Sequence, residues 1–153
     1  MSAEELPGAK FCKYRIDVPI DRPVETAWSR MTKDINEWWM NDFRMFGEDS
    51  FVSLNAQAGG ALVEQSKSGD SLEWYRVQMC QQGKSLFLNG YLAPDWGGPT
   101  LSMLKLALQP QDASCILTVT DVLMGNVSER SAMNAEDGWT TLFRDGLKPF
   151  AEA

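Results

Sequence analysis

One carboxylate in this sequence falls among apolar neighbours. Asp121 shares an alternating face with Leu117, Val119 and Leu123. Burial there would raise its pKa, which is one way a carboxyl becomes a general acid or base. Tyr75 and Glu73 are the other groups a catalytic reading would use. The sequence contains no histidine. Ser-His-Asp and Cys-His arrangements and His-ligated metal sites are therefore excluded, and so is the acid–base residue that titrates nearest neutrality. Cys12, Cys80 and Cys115 are far apart, odd in number and form no CxxC pair. That pattern reads as free thiols in a reducing compartment, with no metal site and no cofactor expected. The two glycines of Asp95-Trp96-Gly97-Gly98-Pro99 are followed by no Lys-Ser/Thr and no helix, so they are not a phosphate cradle.

The aromatic residues offer a second kind of chemistry. There are seven Phe, six Trp and three Tyr. Each buries about 150–250 Å², and the indole and phenol tips need polar partners. Cavities for small molecules are mostly apolar and aromatic, with a few polar groups for orientation. Trp38 and Trp39 are adjacent, and on a helix they would point about 100° apart. One should pack inward while the other sits at a cavity mouth, with Phe43 and the soft side chains of Met40, Met45 and Phe46 nearby. Trp96, at a loop tip, reads as a stopper over a cavity end or as a contact in a homodimer.

These groups need elements to hold them. Residues 11–18 alternate as a strand that Pro19 should stop. Val24, Ala27, Trp28 and Met31 form one helical stripe after Asp21 and Pro23, and a short turn follows over 34–39. Strands are expected over 51–54, 61–65, 72–81, 84–92, 101–108 and 114–124, with the third and fourth forming a hairpin. On 72–81, Tyr75, Val77 and Met79 are assigned inward, because Arg76 and Gln78 are better solvated. Trp74 would then be exposed. The 84–92 strand, which carries Phe87, alternates less cleanly. From Ser128 the period becomes helical, and Met133, Trp139, Leu142, Phe143, Leu147 and Phe150 share one broad face up to a stop at Pro149. Strands joined by short turns and covered by one long helix make the fold class α+β with an antiparallel sheet.

The 153 residues suit one domain: a flexible N-terminal segment over residues 1–10 and a single domain over 11–153. The formal charge of −7 argues against nucleic acid and against an anionic membrane surface as partners. No run of 18 apolar residues exists, and residues 1–10 lack the basic and apolar regions of a signal peptide, so a cytoplasmic protein is expected.

Three segments carry a family resemblance: residues 16–28, the Glu37-Trp38-Trp39 run and the Glu136-Asp137-Gly138-Trp139 run. Together they resemble the START-like (SRPBCC) superfamily, and within it the family of the activator of heat-shock protein 90 ATPase homologues. The resemblance implies a helix-grip fold, with a curved sheet of about six or seven strands wrapped around a long C-terminal helix and two short helices after the first strand. It also implies a cavity between sheet and helix. Members bind lipids, polyketides, hormones and other apolar molecules, and a minority are enzymes such as aromatase/cyclases. The full co-chaperone has a further N-terminal domain for which this sequence leaves no room, so the family name is not read as this chain's activity. On that basis the candidate ligand-binding residues are Trp38, Trp39, Phe43, Tyr75, Val77, Met79, Phe87, Asp121, Trp139 and Phe143. The leading expectation is non-catalytic binding of a small apolar or aromatic molecule. The alternatives are a protein-interaction or co-chaperone-like module using Trp74 or Trp96, and a cyclase- or hydrolase-like enzyme using Asp121, Tyr75 or Glu73.

Overall fold

Strands that follow one another through short turns pair with their sequence neighbours, and six of them do so here in unbroken order. The structure is a computed structural model describing residues 2–153. It contains β1 (Lys10–Ile20), α1 (Val24–Thr32), α2 (Ile35–Trp38), β2 (Phe51–Leu54), β3 (Ala61–Gln65), β4 (Ser71–Gln81), β5 (Ser85–Leu92), β6 (Thr100–Gln111) and β7 (Ser114–Gly125). A C-terminal helical rod follows: α3 (Glu129–Thr141), a wider π turn (Leu142–Leu147) and α4 (Lys148–Glu152). The seven strands form one antiparallel sheet in the order β1-β7-β6-β5-β4-β3-β2. Chain reversal between β4 and β5 uses Gly83 at φ 76°, a conformation open to glycine at no steric cost. The fold class is α+β, and the rod covers the concave face of the sheet.

Pro19, expected to stop a strand, lies inside one, and β6 runs past the expected end at residue 108 to include Pro110. Pro19 sits in β1, an edge strand, where a missing donor is tolerated. Pro110 sits in β6 beyond Ala107, the last residue that β5 pairs, so that stretch of β6 is also an edge. Pro149 likewise does not end the rod. It occupies the first turn of α4, where no donor is demanded, directly after a turn in which the Lys148 N–H reaches the Phe143 carbonyl.

The rod starts at Ser128, whose side chain accepts from the Ser131 N–H while Ser131 Oγ accepts from the Ser128 N–H. This is a reciprocal cap. Leu142, Phe143 and Leu147 then bury against the sheet with Ile16, Val18, Leu117 and Val119. Met133 does not share that face: it is exposed, because six residues place it about 240° around the axis from Trp139. Gly146 lets the rod pass the end of α2, since a Cβ there would stand 2.7 Å from the Trp38 carbonyl oxygen. The far end is tied down by the Lys148 Nζ bond to the Pro19 carbonyl at 2.6 Å and the Asp21 N–H bond to Glu152 at 2.7 Å.

β4 is irregular in two places, and this changes which side chains face the rod. Between Leu62↔Tyr75 and Val63↔Glu73 the residue Trp74 has no partner, and between Val77↔Leu88 and Met79↔Phe87 the same holds for Gln78. Each bulge shifts the alternation by one residue. Trp74 and Tyr75 therefore both turn to the concave face, which corrects the expectation of an exposed Trp74. Met79, expected inward, is 41% exposed on the convex face, and Cys80 takes the inward side. Phe87 pairs with Met79 on that same convex face, beneath the Lys105 ammonium at 5.0 Å.

Candidate functional site: an aromatic cavity with a buried carboxylate

A cavity of about 260 Å³ lies between the concave face of the sheet and α3. Its walls are built from residues of separate elements. Trp39 comes from the residue after α2, Trp74 and Tyr75 from the first β4 bulge, and Trp139 and Gly138 from α3. Asp121 of β7 and Ser102 of β6 supply the polar floor, and the exposed Tyr91 and Leu92 of β5 stand at the mouth.

Trp38 and Trp39 are both buried, at 4% exposure each: one packs in the core and the other lines the cavity, but deep in its wall and not at an exposed mouth. The reason is local. The helix ends at Trp38, and Trp39 takes extended backbone at ψ 106°, so the helical 100° offset does not apply. Trp38 packs on Phe143 with centroids 5.8 Å apart, on the core side, while Trp39 faces the cavity and meets Trp139 edge-on at 6.1 Å. Trp74 lies 5.9 Å from Trp39, Tyr75 lies 5.9 Å from Trp139, and Trp139 stacks on Phe143 at 5.3 Å. These spacings are those of favourable aromatic pairs.

Each indole is held by its N–H. Trp38 donates to the Arg30 carbonyl at 3.1 Å, Trp39 to the Phe43 carbonyl at 3.1 Å, and Trp74 to Glu64 Oε1 at 3.1 Å. Arg44 braces the segment by donating to the carbonyls of Trp39, Asn36 and Ser50 and to Asn36 Oδ1. Glu64, fully buried, also accepts from the backbone N–H groups of Met45 and Phe46 at 2.9 and 2.8 Å. Burial pushes its carboxyl up, but the donated hydrogen bonds outweigh that and hold it below the usual range. Glu64, Arg44 and Asn36 were not legible as site supports. Glu64 sits in a short strand, Arg44 in a loop and Asn36 in the single turn of α2, all places where a polar residue reads as solvated.

The floor is a hydroxyl–carboxylate chain. Tyr14 Oη donates to Asp121 Oδ2 at 2.5 Å, and Ser102 Oγ donates to Oδ1 at 2.7 Å. Tyr75 Oη lies 2.8 Å from Ser102 Oγ. The single Ser102 hydrogen goes to Asp121, so Tyr75 is the donor in that pair. Asp121 is 1% exposed, and burial raises its carboxyl above the usual range despite two hydroxyl donors that lower it. Both tyrosines are also pushed up, chiefly by burial and then by the nearby Asp121 charge. Tyr75 fits because β5 carries Gly90, where a Cβ would stand 2.6 Å from its ring.

Of the candidate residues, Trp39, Phe43, Tyr75, Asp121 and Trp139 line this cavity. Trp38 and Phe143 form the layer beneath it, and Val77 is buried in the core away from it. Met79 and Phe87 face away across the sheet. A larger groove of about 1020 Å³ runs between α1 and the far end of the sheet, but its walls carry the exposed charges of Glu25, Lys33, Lys84 and Lys105 and none of the candidate residues.

No protein-family model matches the chain, and no curated protein matches it in sequence. Solved structures do match it in shape. CalU16 from Micromonospora echinospora is 19% identical, with a TM-score of 0.65 over 92% of this chain and 76% of its own. DynU16, a protein in the dynemicin biosynthetic locus, is 16% identical, with a TM-score of 0.68 over 92% of this chain and 47% of its own. Ara h 8.0201 is 7% identical, with a TM-score of 0.68 over 93% of this chain and 98% of its own. At these identities the likeness is one of fold: the helix-grip arrangement of a curved antiparallel sheet around a C-terminal helix.

Proposed function

We propose that this protein binds a small apolar or aromatic molecule between its sheet and its C-terminal helix. The observation that carries the reading is the cavity itself. Large aromatic side chains surround a single buried polar chain, Tyr75–Ser102–Asp121, as a site needs that binds by apolar contact and orients by a few polar groups. Its volume of about 260 Å³ is at the lower edge of ligand cavities, which fits a molecule of one or two rings. The fold shared with CalU16, DynU16 and Ara h 8.0201 is in keeping with this.

The narrower likeness to the activator of heat-shock protein 90 ATPase homologues belongs to the same proposal. Two of its motifs meet at this site, since Trp38-Trp39 and Gly138-Trp139 converge on it from opposite elements. The free cysteines favour a reducing, cytoplasmic setting. Among the described residues no helix is long and apolar enough to cross a membrane. A second reading, cyclase-like catalysis, draws support from Asp121, a carboxyl raised by burial that lines the cavity. The interaction-module reading loses one of its two residues, because Trp74 points inward.

Titration with an environment-sensitive apolar dye tests the binding reading. The dye should gain emission and quench tryptophan fluorescence, because Trp39, Trp74 and Trp139 surround the site. A broad panel of apolar ligands giving no spectral change would remove the reading. Turnover of a bound ligand, abolished by Asp121→Asn in a folded variant, would replace it with the catalytic one.

A further inference from the structure

The polar groups of the cavity are one-sided in hydrogen-bonding character. Seven lining side chains carry an N–H or O–H: Trp39, Trp74, Tyr75, Tyr91, Thr100, Ser102 and Trp139. Five of the seven already spend it on protein acceptors. Trp39 donates to the Phe43 carbonyl, Trp74 to Glu64, Thr100 to the Asn126 carbonyl, Ser102 to Asp121 and Tyr75 to Ser102. Tyr91 is exposed at the mouth, and the Trp139 N–H is directed at the Tyr75 hydroxyl. The floor therefore turns lone pairs toward a ligand and has almost no hydrogen to give it. Among the described residues no lysine or arginine lines the cavity, and Asp121 is the one charged residue that does. That carboxylate is 1% exposed, takes part in no salt bridge and is partnered by neutral hydroxyls.

The walls have the same sign. The faces of indole and phenol rings carry negative charge from their quadrupoles and attract cations within about 6 Å. Trp39, Trp74, Tyr75 and Trp139 line one small volume in which a single positive group would meet several rings at once. A carboxylate or phenolate ligand would find neither a donor nor a positive charge. We infer that the cavity selects organic cations, namely an ammonium group carried on an aromatic or apolar body, with Asp121 as its counter-ion and the indoles as its cage. This inference rests on the binding function proposed above and adds the class of ligand to it.

Phenyltrimethylammonium provides the test, because it has no hydrogen to donate, no group to titrate and a neutral isostere, tert-butylbenzene. Benzoate supplies the anionic arm. With the full chain at about pH 8, where carboxylates ionise, the cation should bind at least about tenfold more tightly than either comparison compound. Asp121→Asn should lower cation affinity about tenfold or more, 1.4 kcal/mol per decade, and leave tert-butylbenzene unchanged. Should that variant fail to fold, the wild-type protein answers the same question on acidification. Cation affinity must fall as Asp121 takes up its proton, while hydrocarbon affinity holds. The other groups facing Asp121 are Tyr14 from β1 and Tyr75 from β4, both neutral throughout that range, and Glu136 of α3 lies near Tyr14. Protonation of Glu136 would weaken cation binding as well, so Glu136→Gln is the control and should keep most of the pH effect. Equal or tighter binding of tert-butylbenzene or benzoate would overturn the cation inference and leave the cavity function standing. Binding of none of the three would overturn both.

Discussion

Two carboxylates are buried within the same domain, and their surroundings push them in opposite directions. Glu64 receives three N–H donors, two from the backbone of a loop and one from Trp74. Asp121 receives two hydroxyls. A backbone N–H cannot rotate away, so it favours the ionised acceptor and keeps Glu64 acidic despite burial. At Asp121 burial raises the carboxyl by more than its two hydroxyl donors lower it, so it stays closer to protonation. The difference separates a fastening from a site. Glu64 pins the loop over 44–50 to the first β4 bulge, whereas Asp121 faces a cavity with its charge unmatched by any protein cation.

Glu64→Ala should have the largest effect on stability. It takes the acceptor from two part-buried backbone donors and an indole, each costing about 1–3 kcal/mol when unsatisfied, so a loss of about 3–5 kcal/mol is expected from denaturant unfolding. A change under about 1 kcal/mol would show that water replaces the carboxylate freely and that the fastening role is wrong. Gly90→Ala comes next and disturbs only the Asp121 end. The new methyl would stand 2.6 Å from the Tyr75 ring, and overpacking of this kind costs about 1–3 kcal/mol. Ligand affinity should fall because Tyr75 is pushed from Ser102, while a crystal structure of the variant should show the bonds around Glu64 unchanged. Movement at Glu64 instead would mean that the two ends are one unit.

Asp121→Asn should alter stability at neutral pH by less than about 1 kcal/mol, because Tyr14 and Ser102 can rotate to suit an amide. A loss as large as that of Glu64→Ala would erase the contrast. The subtlest measurement is the sign of the pH dependence, read as the difference between each variant and the parent across a pH series. Glu64 has its folded pKa below the ordinary 4.5, so its contribution is present above that value and lost as pH falls through the folded pKa. Asp121 has its folded pKa above the ordinary 3.8, so its contribution is present below that value and lost as pH rises through the folded pKa. Glu64→Gln should therefore remove part of the loss on acidification, and Asp121→Asn part of the loss on raising the pH. Differences of the same sign would show that the donors do not set these ionisations.

Much of this was legible along the chain, for local reasons. The alternation of Ile16, Val18, Leu117 and Val119, the stripe of Ala27, Trp28 and Met31, and the change to a helical period at Ser128 all depend on residues within a few positions of one another. They placed seven strands, two short helices and a C-terminal rod, and with them the class α+β. Asp121 stood out because an acid among Leu117, Val119 and Leu123 breaks a strand's apolar face.

The β4 bulges were not legible, because a bulge depends on how two strands pair, and the uneven alternation of this hairpin does not say where one falls. The misassigned Trp74 and Met79 follow from them, while Phe87 faces outward by the regular alternation of β5 between the buried Leu86 and Leu88. The orientation of Trp39 was hidden in the same way, since it depends on where a helix ends by one residue. The sequence by itself determined the order of elements, the absence of histidine chemistry and the supply of aromatic rings and acids. Only the tertiary structure decided which of those rings meet around one volume and which acid is fastened and which is open. Burial, pairing register and donor direction are set by residues far apart in the chain, and no local pattern records them.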